Sequence, residues 1–375
     1  MRRHLVGLSL FLISLSSFTP PANAADIKVM SQNQYLGANL FPILAAPDGD
    51  AFNAAVVAAL QQIAANRPAE RVKAQAAEIL KEQPALVGLQ EVFEFQCSGP
   101  GCSDPSIAAA FTDHLQDTLD ALNGAYVLKA TVVDLNVPGV PFSINGQSAA
   151  VSVLDRDVIL ARADVEATPV NYAAFQNLGI CLKPSADGCN YSFVLSATTP
   201  LGPITVERGY VAVDATVGDQ AYRLVNTHLD EQFPNPANPL SQIYQAVQAA
   251  ELVQVLSATT PSDRSLILLG DMNSSPVHPV NNGIIPPYQQ FIAAGYTDDW
   301  TLRPGTLPGY TCCQLDNLSN LLPTLSERLD LVLSRNAPSS VKDARVVGAT
   351  ASDRTPPGLG LWPSDHGGVT ADMQF

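Results

Sequence analysis

Short, almost uninterrupted apolar runs recur along this chain, separated by longer stretches with helical periodicity. The runs Ile27–Gln34, Ala85–Gln90, Tyr126–Val133, Asp157–Ala161, Val206–Thr216, Ala221–Thr227, Ser265–Gly270, Asp330–Leu333 and Val369–Met373 read as strands. Helices are predicted over Asp50–Ala65, Pro68–Glu82, Ser106–Leu122 and Ser241–Ser257, with Pro68 in the first turn, where a missing N–H costs least. Leu135–Gln147 and Ala163–Pro203 are rich in Pro, Gly, Ser and Asn and read as long loops. No internal repeat, charge block or linker divides the chain, so the pattern predicts one α/β domain of sheets covered by helices.

The first 24 residues stand outside that pattern. Arg2 and Arg3, the apolar run Leu5 to Leu15 and the small-x-small triplet Ala22-Asn23-Ala24 read as a signal peptide (1–24), cleaved before Ala25 to release a secreted or periplasmic domain, 25–375. The run is too short for a membrane anchor, which needs about 20 residues, and no later segment is long enough for a transmembrane span. All six cysteines, Cys97, Cys102, Cys181, Cys189, Cys312 and Cys313, fall in the exported part, which favours disulfides. Spacing points to Cys97–Cys102 and Cys181–Cys189, with a vicinal pair left over. A zinc site is the alternative, but the six are scattered without CxxC pairs.

Charge narrows the field further. Of 375 residues only 15% are charged, with 20 Lys and Arg against 35 Asp and Glu, and losing Arg2 and Arg3 takes the formal charge from −15 to −17. With 46% hydrophobic residues the chain is not disordered. It also lacks the basic footprint with which proteins grip nucleic acid along many phosphates.

Polar residues interrupt the apolar runs at their ends. Asn33 closes the first strand; Glu91 follows Ala85–Gln90; His228 and Asp230 follow Leu224-Val225-Asn226-Thr227; Asp271 and Asn273 follow Leu266–Gly270; Arg328 and Asp330 precede Leu331; Ser364-Asp365-His366 precede the last strand. Taken singly, each has a structural reading as a cap, a turn or a satisfied histidine. Together they offer the hard oxygen donors that Mg²⁺, Mn²⁺ and Ca²⁺ prefer, beside the imidazoles and carboxylates of a hydrolytic site. There is no Gly-x-Ser-x-Gly elbow and no Walker-type phosphate loop.

The ordered set Ser31-Gln32-Asn33, Leu89-Gln90-Glu91, Glu207-Arg208-Gly209-Tyr210, Asn226-Thr227-His228-Leu229, Gly270-Asp271-Met272-Asn273, Arg328-Leu329-Asp330 and Ser364-Asp365-His366 resembles the endonuclease/exonuclease/phosphatase superfamily, over essentially the whole mature chain. The resemblance implies a four-layer α/β/β/α sandwich of two mostly antiparallel sheets flanked by helices, with the site at one end. It implies a Mg²⁺ cofactor, with Mn²⁺ or Ca²⁺ as alternatives, anchored by Glu91 and Asn33, with Asp365 as a further metal or surrounding ligand. Asp271 would orient or deprotonate the attacking water, Asn273 and His228 would meet the phosphate, and His366 would be paired and kept charged by Asp330. Which group is the base, and whether a second metal binds, stay open.

Arg208 is read as a phosphate ligand or as an exposed arginine at a strand start, and Tyr210 as a packing residue. Asp230 is read as a partner of His228 or a turn residue, and His114 and His278 as structural or solvent-facing. Tyr35-Leu36-Gly37 is expected to turn the chain and shape the pocket wall. The reaction expected is hydrolysis of a phosphate ester by activated water without a covalent intermediate, in a monomer. Scarce basic residues favour a lipid head group or small phosphodiester, with an endonuclease acting on nucleic acid as the alternative and a non-catalytic binding module as a more distant one. Val137–Ile144 is read either as a buried loop or as an apolar tip that touches a membrane.

Overall fold

The computed structural model describes residues 26–232, 239–356 and 360–375; the proposed signal peptide lies outside them. The runs that lack polar alternation, 86–90 and 266–271, are buried along their whole length, as strands covered on both faces must be. They sit inside two separate sheets. The first runs β16 (Ser340–Val347), β17 (Gly368–Gln374), β1 (Asp26–Asn33), β2 (Leu86–Gln90), β5 (Gln147–Arg162) and β3 (Glu94–Ser98), with β4 (Tyr126–Ile144) also paired to β5. The second runs β14 (Tyr296–Asp298), β15 (Asp330–Arg335), β13 (Ser265–Asp271), β12 (Gln220–His228), β11 (Gly209–Val217), β8 (Gly188–Asn190) and β7 (Lys183–Ser185), with β6 (Glu166–Pro169) on β11. A ribbon of β9 (Leu195–Thr199) and β10 (Gly202–Val206) stands apart.

The sheets pack face to face through Val29, Leu86, Ile159, Val211, Val213, Leu224, Ile267, Leu269 and Val332. Helices α3 (Pro68–Glu82) and α4 (His114–Leu122) cover the outer face of the first sheet through Ala76, Ile79, Leu115 and Leu122. α1 (Phe41–Leu44) and α2 (Gly49–Ala65) pack over its β3–β4–β5 end. On the second sheet α5 (Leu240–Thr259) buries Ala249, Leu252, Val255 and Leu256, and α6 (Pro287–Ala293) adds Phe291. The result is the expected four-layer α/β/β/α sandwich.

Among the described residues each sheet has one parallel pair, β1–β2 and β12–β13. A parallel pair needs a crossover, supplied by α2 and α3 in one case and α5 in the other. Both pairs therefore end at the same edge, with Asn33 opposite Gln90 and His228 opposite Asp271. The sheets approach closely beneath that edge because Gly88 lacks a side chain; a Cβ there would overlap Leu269 and lie 2.8 Å from Asn226. A polar tie crosses the gap. Gln90 Nε2 donates to Asn226 Oδ1 (2.6 Å), and Asn226 Nδ2 donates to the Leu89 and Val158 carbonyls (2.9 and 3.0 Å).

Several expectations change. The loop read over Leu135–Gln147 is the tip of a long hairpin, β4 and β5, whose bulges break the alternation that marks a strand. Val140, Phe142 and Ile144 point inward against α2, as the reading of 137–144 as a buried segment expects, while Pro138, Gly139, Pro141 and Ser143 stay exposed. The helix predicted from Ser106 begins at His114, because the Asp113 side chain accepts from Leu115 N at 2.9 Å and caps it there. β3, β14 and β16 were not foreseen, and Ala163–Pro203 contains the short strands β6 to β9. The disulfides are Cys97–Cys102, Cys181–Cys189 and Cys312–Cys313, and no cysteine among the described residues is free.

Candidate active site

A cavity of about 540 Å³ opens at the shared sheet edge, lined by Glu91, Arg208, His228, Asp271, Asn273, Asp365 and His366. Asn33 and Asp330 stand behind this lining and bond into it. Three of the residues occupy left-handed backbone: Glu91 at φ +54°, Arg208 at φ +31° and Asn273 at φ +45°. Such positions cost a non-glycine residue on the order of 1 kcal/mol or more, and they persist where surrounding bonds fix them. Glu91 and Asn273 follow the ends of β2 and β13 and Arg208 precedes the start of β11, and each lines the cavity. Gly270 makes the same edge possible, since a Cβ at its φ of +141° would overlap the Thr227 carbonyl oxygen.

The polar groups form a connected network. Asn33 Nδ2 donates to Glu91 Oε1 (3.2 Å) and Asp271 Oδ2 (3.1 Å), while the Tyr35 and Leu36 amides donate to Asn33 Oδ1 and Glu91 Oε2 (both 2.9 Å). Asp271 Oδ1 accepts from Asn273 N at 2.9 Å. Across the cavity His366 Nδ1 lies 2.7 Å from Asp330 Oδ2, and its Nε2 lies 3.7 Å from Asp271 Oδ2. Burial opposes a charge on this ring. Asp330, Asp271 and Asp365 outweigh burial and hold His366 well above the ordinary histidine range, as an imidazolium.

His228 is the opposite case. Burial first, then Arg208 and His366, push it well below its usual range, so the ring is neutral. Arg208 Nη1 donates to its Nδ1 at 2.7 Å, which puts the ring proton on Nε2, 3.2 Å from Asn273 Nδ2 and 3.5 Å from Asp271 Oδ2. This histidine is a hydrogen-bond donor and not one of the positive charges of the site.

The Arg208 side chain is only 15% exposed and lines the cavity, so the reading as an exposed residue at a strand start fails. Burial works against its charge, but Asp230, Asp155, Asp134 and Glu91 more than compensate. Asp230 lies 3.7 Å from Arg208 Nε and accepts from Gln248 Nε2 at 2.7 Å, so it serves the guanidinium and not His228. Asp134 and Asp155, buried beneath Arg208 and raised above the usual carboxylate range by burial, went unnoticed because they sit inside strands. Tyr210 packs between Tyr172 and Tyr191, as expected of a strand aromatic.

The donor set fits a hard divalent cation. Glu91, Asp271 and Asp365 carry carboxylates at the cavity surface, Asn33 stands beside Glu91, and burial pushes Asp365 up to about 7, the cost of gathering acids around too little positive charge. Asp271, Asp330 and His366 also lie within 4.8 Å of one another. An imidazolium has no lone pair to give a metal, so in this charge state that trio offers only its two carboxylates, while Glu91, Asn33 and Asp365 offer hard oxygen donors on the other side of Asp271.

Two loops carry these groups, and α3 ties them together. Arg71, fully buried, donates from Nε to Asn66 O (2.9 Å), from Nη1 to Gln34 O and Pro363 O (both 3.0 Å), and from Nη2 to Tyr35 O (2.9 Å). Gln75 Nε2 reaches Gln34 O and Pro363 O as well (3.1 and 2.7 Å), and Ser364 Oγ donates to Asn33 O at 2.8 Å. None of this was visible in the chain, where Arg71 reads as one charge on an amphipathic helix. His278, read as structural or solvent-facing, lines the cavity with Glu327 at 3.3 Å; Glu231, Gln232 and Gln242 line it too and carried no sequence signal. His114 is buried in α4, far from solvent, as a structural histidine.

The sequence model of the Endonuclease/Exonuclease/phosphatase family matches residues 51–366. The chain belongs to this family. Its members hydrolyse phosphoester bonds, and so does this one. A sequence search of curated proteins finds no significant match. Among solved structures, the chain is similar to an endonuclease/exonuclease/phosphatase from Beutenbergia cavernae, with TM-score 0.51 and 18% identity over 94% of this chain and 72% of that one. It is also similar to a family protein from Bacteroides thetaiotaomicron, with TM-score 0.52 and 17% identity over 93% and 98%. A mannosyl-6-phosphatase from the same organism gives TM-score 0.50 and 17% identity over 93% and 100%. These likenesses establish the fold. Among the described residues no helix is long and apolar enough to cross a membrane.

Proposed function

We propose that this family member is a secreted phosphodiesterase-type hydrolase, a monomer exported by residues 1–24, that acts at one phosphate with Mg²⁺ held by Glu91, Asn33 and Asp365, Mn²⁺ and Ca²⁺ being the alternatives. The bound metal supplies Lewis-acid polarisation of a phosphate oxygen. Asp271, its carboxyl pushed up by burial and by Asp330 and pulled back by His366, orients the attacking water and takes its proton. Asn273 Nδ2 and the Nε2 proton of neutral His228 donate to phosphate oxygens. Arg208 and the His366 imidazolium supply the positive charge that matches the charge developing on phosphorus.

The observation that carries this reading is the pairing of opposites across one cavity: His366, charged by Asp330, faces Glu91 and Asp271 beside the Arg208 guanidinium. Among the described residues lining the cavity, Arg208 is the one Lys or Arg, which matches a single phosphate better than a polyanion held at many points. The test is hydrolysis of bis-p-nitrophenyl phosphate. Mg²⁺ should restore activity that excess EDTA removes, and Glu91→Gln and His366→Ala should each lower kcat by about a hundredfold or more with an unchanged circular dichroism spectrum. Full turnover in EDTA, or near-normal rates in both variants, would overturn the assignment.

A further inference from the structure

The catalytic cavity is not closed beside Glu91 and Asp365. A second cavity of about 320 Å³ continues from it, sharing Glu91, Arg208, Glu231, Cys313 and Asp365. Its wall combines these groups, and Asn39, Asp155, Asp230, Gln314 and Asp316, with Leu36, Phe41 and Phe93, and it turns wholly apolar at Leu40, Leu44, Leu135 and Val206. Beyond it lies a third space of about 90 Å³ between α2 and β3–β5, lined by apolar side chains alone. Leu40, Leu44, Leu135 and Val206 line both the second and the third, so the two adjoin there.

This gradient selects a chemistry. A sugar or base reaching past Leu40 and Leu44 would leave its polar groups unpaired, which is costly, whereas apolar cavities stay dry and accept apolar guests. The combined space is in the range of ligand pockets, roughly 300–1,000 Å³. The loop that borders the second cavity through Cys313, Gln314 and Asp316 also exposes Leu315 (53%), Leu321 (80%) and Leu322 (76%), an apolar margin of the kind that meets amphiphiles.

We infer that the substrate is a phosphate ester carrying one long hydrocarbon chain, with the phosphate at Glu91 and Arg208 and the chain running past Leu40 and Leu44 toward α2. The inference rests on the phosphodiesterase reading and narrows it to an amphiphile of one tail.

The test uses p-nitrophenyl n-alkyl phosphates, methyl to dodecyl, in Mg²⁺ below their aggregation concentrations. Water adds to phosphorus, its proton passing to Asp271 and then to solvent, and the bond to the nitrophenyl oxygen breaks. The coloured phenolate leaves with the electron pair and alkyl phosphate remains. Burying a methylene favours binding about fourfold, from about 0.8 kcal/mol each. The value of kcat/KM should therefore climb at least a hundredfold between methyl and octyl and then level. Leu44→Trp and, separately, Leu40→Trp fill the junction and should remove that climb while leaving the methyl ester rate unchanged. A rise of less than a hundredfold across the series, with the methyl ester hydrolysed, overturns the hydrocarbon inference alone, as does a climb that survives both tryptophans. If no member is hydrolysed, the phosphodiesterase reading falls too.

Discussion

Replacing Arg71 by methionine keeps the length and apolar stem of the side chain and deletes its guanidinium. The structure sets the size of the effect. Four donor contacts to backbone carbonyls are lost, at Asn66, Gln34, Pro363 and Tyr35, and hydrogen bonds from charged groups contribute about 1.5–3 kcal/mol each, so at least about 6 kcal/mol goes. Against this, burial pulls Arg71 down to about 10 from 12.5, a charge-desolvation cost of about 3 kcal/mol that the variant recovers. The net loss is at least about 3 kcal/mol, which lowers Tm by about 4 °C or more in a chain of this size. Urea unfolding at constant m should show the same loss. Because Arg71 joins the loop after Asn33 to the loop before Asp365, kcat should fall with stability, at temperatures well below Tm. Arg71→Lys should recover little of either, since an ammonium cannot span four carbonyls on three sides. A stability change below about 1 kcal/mol, or full activity in the methionine variant, would refute the clamp.

Gly270→Ala should fail to accumulate as folded protein or lose several kcal/mol, because its Cβ would overlap the Thr227 carbonyl oxygen at a φ that alanine avoids; a variant with wild-type Tm would contradict the close approach of β12 and β13. Burial, aided by Arg71, pulls His114 down to about 3, so the folded protein holds it neutral while the unfolded chain protonates near 6.5. Stability from this group is therefore complete above pH 6.5 and is lost as pH falls, by up to about 2 kcal/mol between pH 6.5 and 5. His114→Gln should lose less than wild type over that interval in paired urea titrations, and equal losses would refute the assignment. Asp330→Asn removes the anion that holds His366 charged, so kcat should drop about tenfold or more and the alkaline limb of the rate profile should move to lower pH; an unshifted limb would remove Asp330 from that role.

Much of the fold was legible because burial on both faces leaves a plain mark: β2 and β13 are unbroken apolar runs, and Pro68–Glu82 was bounded correctly by its proline and its periodicity. The β4–β5 hairpin was hidden because two bulges and the pair Pro138-Gly139 along Val133–Val140 imitate a loop. Candidate residues were legible where a polar residue ends an apolar run, as at Glu91, His228 and Asp271. What one sequence withholds is pairing. Arg208 cannot be told from a surface arginine until Asp155 and Asp230 are seen around it, and Arg71 cannot be told from a helix surface charge until four distant carbonyls converge on it. The same holds for the charge state of His228, which depends on a guanidinium twenty residues away.

Strand β17 is the last element of the chain, yet it sits inside the first sheet, hydrogen-bonded to β16 on one side and β1 on the other, and the turn leading into it carries Asp365 and His366. β17 is therefore a keystone: without it β1 and β16 would have open edges, and the site would lack one cation and one carboxylate. A substitution that weakens its pairing is accordingly expected to cost stability and hydrolysis together, because one strand both closes the sheet and holds the turn that arms the site.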